Sequence, residues 1–168
     1  MRFPSLEASV CLGVLLAAAA FPASTVVAVD VDGVVHPITV EIIAHALEQA
    51  KRQSAEIVLI RLNTPGGLSE ATRQIIEKVV ASPVPVVSFV TPSGGRAASA
   101  GFFILESGDV AAMAAGTNTG AATPVLLTGE MDAVMRRKVQ NDAAASLRSL
   151  VAKRGRNSQL AETAVLEA

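Results

Sequence analysis

Pro92-Ser93-Gly94-Gly95-Arg96-Ala97-Ala98-Ser99-Ala100-Gly101 lies between two apolar runs, and its reading decides the fold. Before it, Val84 to Val90 has the β-branched character of a buried strand. After it, Phe102 to Leu105 continues from Ala97 without a turn signal. The pattern predicts strand, glycine turn and helix, with Ser99 in the first helical turn. A hydroxyl there sits beside unpaired backbone N–H groups and the positive end of the helix dipole. The small neighbours Ala97, Ala98, Ala100 and Gly101 let a substrate backbone come close. The plainer alternative is a serine that caps the helix or packs as a small residue.

Upstream, Val26 to Val31 reads as a first strand ended by Asp32-Gly33. Thr39 is placed to cap a helix running to about Arg52, with Ile42, Ile43, Ala46, Leu47 and Ala50 on one face. Ile57 to Leu62 is a second strand, Asn63-Thr64-Pro65-Gly66-Gly67 a sharp loop, and Leu68 to Val80 a second helix. Two successive strand–helix units favour a parallel sheet with right-handed crossovers. Downstream, Asp109 to Ala114 suits a short fourth strand. Gly116 to Gly129 has no clean period and is long for a compact domain, so a mobile lid is expected there. A long helix follows from Met131 to about Arg154, ended by Gly155. Asn157 to Ala168 begins another. The sequence stops there without a closing strand, as a fragment would, and the uncovered apolar surface is expected to drive self-association.

The 168 residues suffice for one domain with a sizeable core. Hydrophobic residues make up 51% of them, yet Trp and Tyr are absent, so Val, Ile, Leu and Ala must build that core. A net charge of −1 gives no electrostatic case for nucleic acid. The single cysteine, Cys11, excludes an internal disulfide, and two histidines, His36 and His45, are too few for a His-rich metal site. No metal or cofactor is expected. Met1 to about Val27 reads as a signal peptide or N-terminal membrane anchor, with Arg2, an apolar Ala8 to Phe21 and small residues at Ala23-Ser24. Its apolar run falls short of the roughly 20 residues that span a bilayer. An exported or membrane-associated protein is expected.

Two glycine loops after consecutive parallel strands lie side by side at the sheet's carboxyl edge, where ligands bind. The N–H groups of Gly67 and Ala100 could there hold a carbonyl oxygen as it gains charge. Neither loop carries Gly-Lys-Ser/Thr or G-x-G-x-x-G, the phosphate-binding patterns. A serine nucleophile also needs a base. Both histidines lie far upstream of Ser99, and the only lysines after it are Lys138 and Lys153. Lys138 has Met131, Val134 and Ala145 on its side of the long helix, and burial against them would favour the neutral amine. The alternative is a surface lysine paired with Asp142 at i+4.

Thr64-Pro65-Gly66-Gly67, Gly94-Gly95-Arg96-Ala97-Ala98-Ser99-Ala100-Gly101 and Lys138-Val139-Gln140-Asn141-Asp142, in this order, resemble the NfeD-type, ClpP-class membrane serine proteases. The resemblance extends to Arg154-Gly155-Arg156-Asn157. It implies an α/β protein of ClpP/crotonase-like fold over residues 28–168, built of repeated ββα units with a mainly parallel sheet flanked by helices. It further implies a Ser–Lys dyad with Ser99 as nucleophile and Lys138 as general base, Gly67 and Ala100 as oxyanion donors, and a homodimer or larger assembly. The implied substrate is a hydrophobic segment of a stomatin-like membrane protein. Two rivals share the fold: a non-catalytic membrane scaffold for such a partner, and a crotonase-like acyl-CoA enzyme. The latter would need a catalytic group at the acyl carbon and an adenine pocket, and no motif marks either.

Overall fold

The computed structural model describes residues 24–126 and 128–167. Strands β1 (Val26–Asp32), β2 (Ile57–Asn63) and β3 (Val86–Val90) alternate with helices α1 (Pro37–Arg52) and α2 (Ser69–Val80). Then come a short strand β4 (Arg96–Ala98), helix α3 (Ala100–Ser107), β5 (Val110–Met113) and a second short strand β6 (Asn118–Gly120). Helices α4 (Ala133–Lys153) and α5 (Ser158–Leu166) complete the order. The main sheet runs β1-β2-β3-β5 with every pairing parallel, and β4 and β6 form a separate parallel pair. Strand β1 starts at Val26, inside the stretch read as leader or anchor; residues 1–23 of that stretch lie outside the described residues.

Alternation sets the faces. Val27, Val29 and Val31 of β1 and Val58, Ile60 and Leu62 of β2 turn toward the helices, with Val86 and Val90 of β3. They meet Ile43 and Leu47 of α1, Ile75 and Val79 of α2, and Ile104 and Leu105 of α3 in one core. A second core forms where Phe102 of α3 meets Leu147, Leu150 and Val151 of α4 and Ala161 and Val165 of α5. Helix α3 is therefore buried from both sides, sandwiched between the sheet and the α4–α5 hairpin.

Three local readings are corrected. Helix α1 is capped by His36, not Thr39: the His36 ring accepts from the Ile38 N–H at 3.3 Å, while Thr39 Oγ1 accepts the His36 N–H at 3.2 Å. Pro37 at the first helical position has no N–H to lose, which moves the start forward. Ile42 is 47% exposed, and Val40 takes its place on the buried face. Part of the stretch read as a mobile lid is built into the fold: Asn118–Gly120 form β6, which pairs with β4, and Ala122 is buried, its N–H bonded to Ala164 O at 2.7 Å.

Candidate active site

The Thr64–Gly67 loop is shaped by two parallel bridges. Thr64 bridges Ala97 of β4, donating its N–H to Arg96 O at 2.7 Å and accepting from the Ala98 N–H at 3.1 Å. The buried Thr64 hydroxyl also accepts the Gly66 N–H at 3.1 Å, tightening the turn. Gly67 then bridges Val35: Val35 donates to Gly66 O and accepts from the Leu68 N–H, each at 2.9 Å. In that pattern Val35 bonds the residues on either side of Gly67, leaving the Gly67 N–H directed away. No described residue accepts from it. A side chain could not replace its hydrogen, since a Cβ would lie 2.1 Å from Val35 O.

Ser99 stands at the N-cap of α3, one position before the expected first turn, with φ +52° and ψ −115°. Positive φ is costly for a side-chain-bearing residue, of order 1–3 kcal/mol. It is held by the strand pair, since the Ser99 N–H donates to Gly120 O at 2.9 Å. Unlike an ordinary capping serine, its hydroxyl makes no bond to the helix N-terminus. The Ala100 N–H, first of the helix, also has no acceptor among the described residues. Gly66, at φ +122°, lies directly against the serine: a Cβ there would be 2.8 Å from Ser99 Cβ and 3.2 Å from Oγ.

Ser99, Gly67 and Ala100 line one cleft of about 180 Å³. Its walls are faces of two helices with matching spacing: Ser69, Thr72, Arg73 and Ile76 on α2, and Val139, Asp142, Ala143 and Ser146 on α4. Phe103, Ala122 and Pro124 add to the apolar part of a mixed lining. Each set shows the i, i+3, i+4, i+7 spacing of a helical face, but which two faces meet depends on tertiary packing. A larger cavity of about 280 Å³ lies over the ends of β1, β2 and β3. Its polar groups satisfy one another, Arg61 with Asp30 at 2.7 Å and Asn63 with Asp32 at 3.0 Å, and no serine, cysteine or lysine lines it.

Lys138 is not among the lining residues. It lies one turn before Asp142 and immediately before Val139, both of which line the cleft. Its expected burial is corrected: Lys138, Val134 and Ala145 are all exposed. Residues 133–138 form the uncovered first turns of α4, and packing begins only toward Ala144 and Leu147. No ion pair joins Lys138 to Asp142 or to any other described residue. Among the described residues no group of His, Cys, Asp and Glu is arranged to hold a metal ion, and no helix is long and apolar enough to cross a membrane.

The parallel sheet, the small second strand pair and the serine turn between them define a ClpP-like α/β fold. A mutant ClpP1 from Listeria monocytogenes superposes with a TM-score of 0.62 at 19% identity, over 82% of this chain and 77% of that one. Residues 25–167 match the family described as NfeD1b, N-terminal domain, and the chain belongs to that family. It is 36% identical over 115 residues to the membrane-bound protease PH1510 of Pyrococcus horikoshii, covering 67% of this chain and 26% of the relative. The chain thus spans about a quarter of the length of the curated relatives it matches. A serine-to-alanine mutant of the 1510-N membrane-bound stomatin-specific protease superposes with a TM-score of 0.81 at 29% identity, over 88% of this chain and 72% of that one. A lysine-to-alanine mutant of 1510-N, solved in complex with a substrate peptide, gives 0.79 at 30% identity, over 86% and 67%.

Proposed function

We propose that the protein is a serine endopeptidase in which Ser99 is the nucleophile and Lys138 the general base. One observation carries the reading: an uncapped serine hydroxyl on a strained turn, at a cleft also lined by Gly67 and Ala100, whose N–H groups have no acceptor among the described residues. In the reaction Ser99 Oγ attacks the peptide carbonyl carbon as its proton passes to Lys138 Nζ. The carbonyl oxygen gains charge facing the Gly67 and Ala100 N–H groups. Lysine then returns the proton to the leaving amine, and water releases the acyl group by the reverse sequence. Removal of a serine and of a lysine in two 1510-N structures supports attention to the same residue types here.

The apolar lining from Ile76, Phe103, Val139 and Ala143 suits a hydrophobic peptide segment. A stomatin-like membrane protein as its source rests on the relative's specificity for a stomatin homologue. The proposal places the chain at or outside a membrane, with the residues before β1 as its leader or anchor; Val26 and Val27, first read as its end, belong to the sheet instead. Self-association completes it. Val125, Val134 and Met135 are 79%, 66% and 49% exposed on α4's first turns and the loop before it. Asp132 precedes Val134 and Met135, and Arg136 and Arg137 follow them, so two antiparallel copies would be charge-complementary and would shield Lys138 from water.

The exposure of Lys138 is the observation that favours the second reading, a non-catalytic scaffold. Peptide cleavage by Ser99→Ala, Lys138→Ala, the double variant and Lys138→Arg separates them. As a dyad, each single variant should lose about 10³-fold or more, with the double variant little worse. Lys138→Arg should be inactive, because a guanidinium stays protonated. A parent chain with no activity supports the scaffold.

A further inference from the structure

Helix α3 is held at its far end by groups from a distant part of the chain. No basic residue lies in its last turn, and Gly108 continues in extended conformation instead of closing a left-handed cap. The terminal carbonyls therefore need outside donors. Ile104 O accepts from Ser88 Oγ at 3.2 Å and from Ser107 Oγ at 2.8 Å. Arg154 donates to Ser107 O through Nε at 3.0 Å and Nη2 at 2.7 Å, and its Nη1 pairs with Asp109. The second Asp109 oxygen accepts the N–H of Val86, the first residue of β3, at 2.8 Å. Arg156 donates through Nη1 to Glu106 O at 2.6 Å and to the Glu106 carboxylate at 3.1 Å, and through Nη2 to Gly108 O at 2.8 Å. Gly108 is itself wedged, since a Cβ there would lie 2.6 Å from Ser88 Oγ.

We propose that Arg154 and Arg156 are positioning residues whose clamp on the C-terminus of α3 sets where Ser99 stands against Gly66 and Gly67. The proposal rests on Ser99 as the nucleophile. Eight helical residues span about 12 Å and move as one rod, so a shift at Ser107 reaches Ser99. The clamp also fixes the α4–α5 turn, and with it the cleft wall and Lys138, in register with the serine. Two planar guanidinium forks span several acceptors at once, which a lysine ammonium at the same place does not.

The test is a crystal structure and peptide kinetics of Arg154→Lys and Arg156→Lys. The expected result is Ser99 displaced from Gly66 on the order of 1 Å, with kcat reduced by about 10- to 100-fold and KM little changed. Variants with Ser99 unmoved and kcat unchanged, even if less stable, would overturn the proposal and leave the arginines a purely stabilising role. If the parent cleaves no peptide, the peptidase reading fails by itself, and the Ser99–Gly66 spacing still decides the clamp. Should either variant fail to fold, Asp109→Asn weakens the clamp while keeping an acceptor for Val86. It should shift Ser99 and kcat in the same direction to a smaller extent, and an unmoved Ser99 there counts against the clamp.

Discussion

Gly66→Ala is the perturbation whose cost can be worked most fully from the geometry. At φ +122° an alanine is strained whatever the space, by about 1–3 kcal/mol. Its methyl would also stand 2.8 Å from Ser99 Cβ and 3.3 Å from Ala98 O, a backbone atom that cannot swing aside. Overpacking of this kind adds about 1–3 kcal/mol. The sum is about 2–6 kcal/mol. Gly94→Ala is the matched control: its φ is +83°, but nothing lies within 4 Å of the added methyl. Only the left-handed cost applies there, about 1–2 kcal/mol. With no Trp or Tyr in the chain, urea unfolding followed by far-ultraviolet circular dichroism is the assay, paired with fluorophosphonate labelling of Ser99. Gly66→Ala should be the less stable by a further ~1–3 kcal/mol and should label more slowly. Equal losses in the two variants, with labelling at the parental rate in both, would refute the reasoning that Gly66 is glycine to admit Ser99.

Three further outcomes follow from the same contacts. Thr64→Val removes a fully buried hydroxyl that bonds the Gly66 N–H, and should cost about 1–3 kcal/mol in urea unfolding while slowing peptide cleavage. Asp132→Ala deletes the N-cap of α4, which accepts from Val134 and Met135 at 2.8 and 3.0 Å, and should cost about 1 kcal/mol in the same assay. A hydrogen bond from Arg148, partly opposed by burial and aided by its charge, holds the Glu162 carboxyl below the usual carboxylate range. That lowered value means the pair contributes stability at neutral pH, which is lost as pH falls through the folded-state value. Melting of Glu162→Gln against the parent should show a small deficit at neutral pH that vanishes in acid.

The strands and helices that build the main core were legible because each carries its own signal. Val26 to Asp32 is β-branched with period two, and the buried positions of α1 and α2 recur at helical spacing. The two three-residue strands were not legible, since Arg96-Ala97-Ala98 and Asn118-Thr119-Gly120 have no strand-like pattern and form only by docking on each other and on Thr64. The glycine loop and the serine turn could be read as a pair from chain order. What leaves the Gly67 N–H free is a bridge to Val35, about thirty residues earlier. The face assigned to Lys138 failed for a physical reason: periodicity names neighbours along a helix, but among the described residues none covers α4's first turns. Arg154 and Arg156 gave no local signal, because their acceptors lie 45 to 50 residues away.

The most direct test of Ser99 as an activated nucleophile is fluorophosphonate labelling with the adduct mapped by mass spectrometry. The account predicts one adduct, on the peptide containing Ser99, absent from Ser99→Ala and strongly slowed in Lys138→Ala. A folded parent chain that takes up no label at Ser99, or labels equally fast without Lys138, would contradict it.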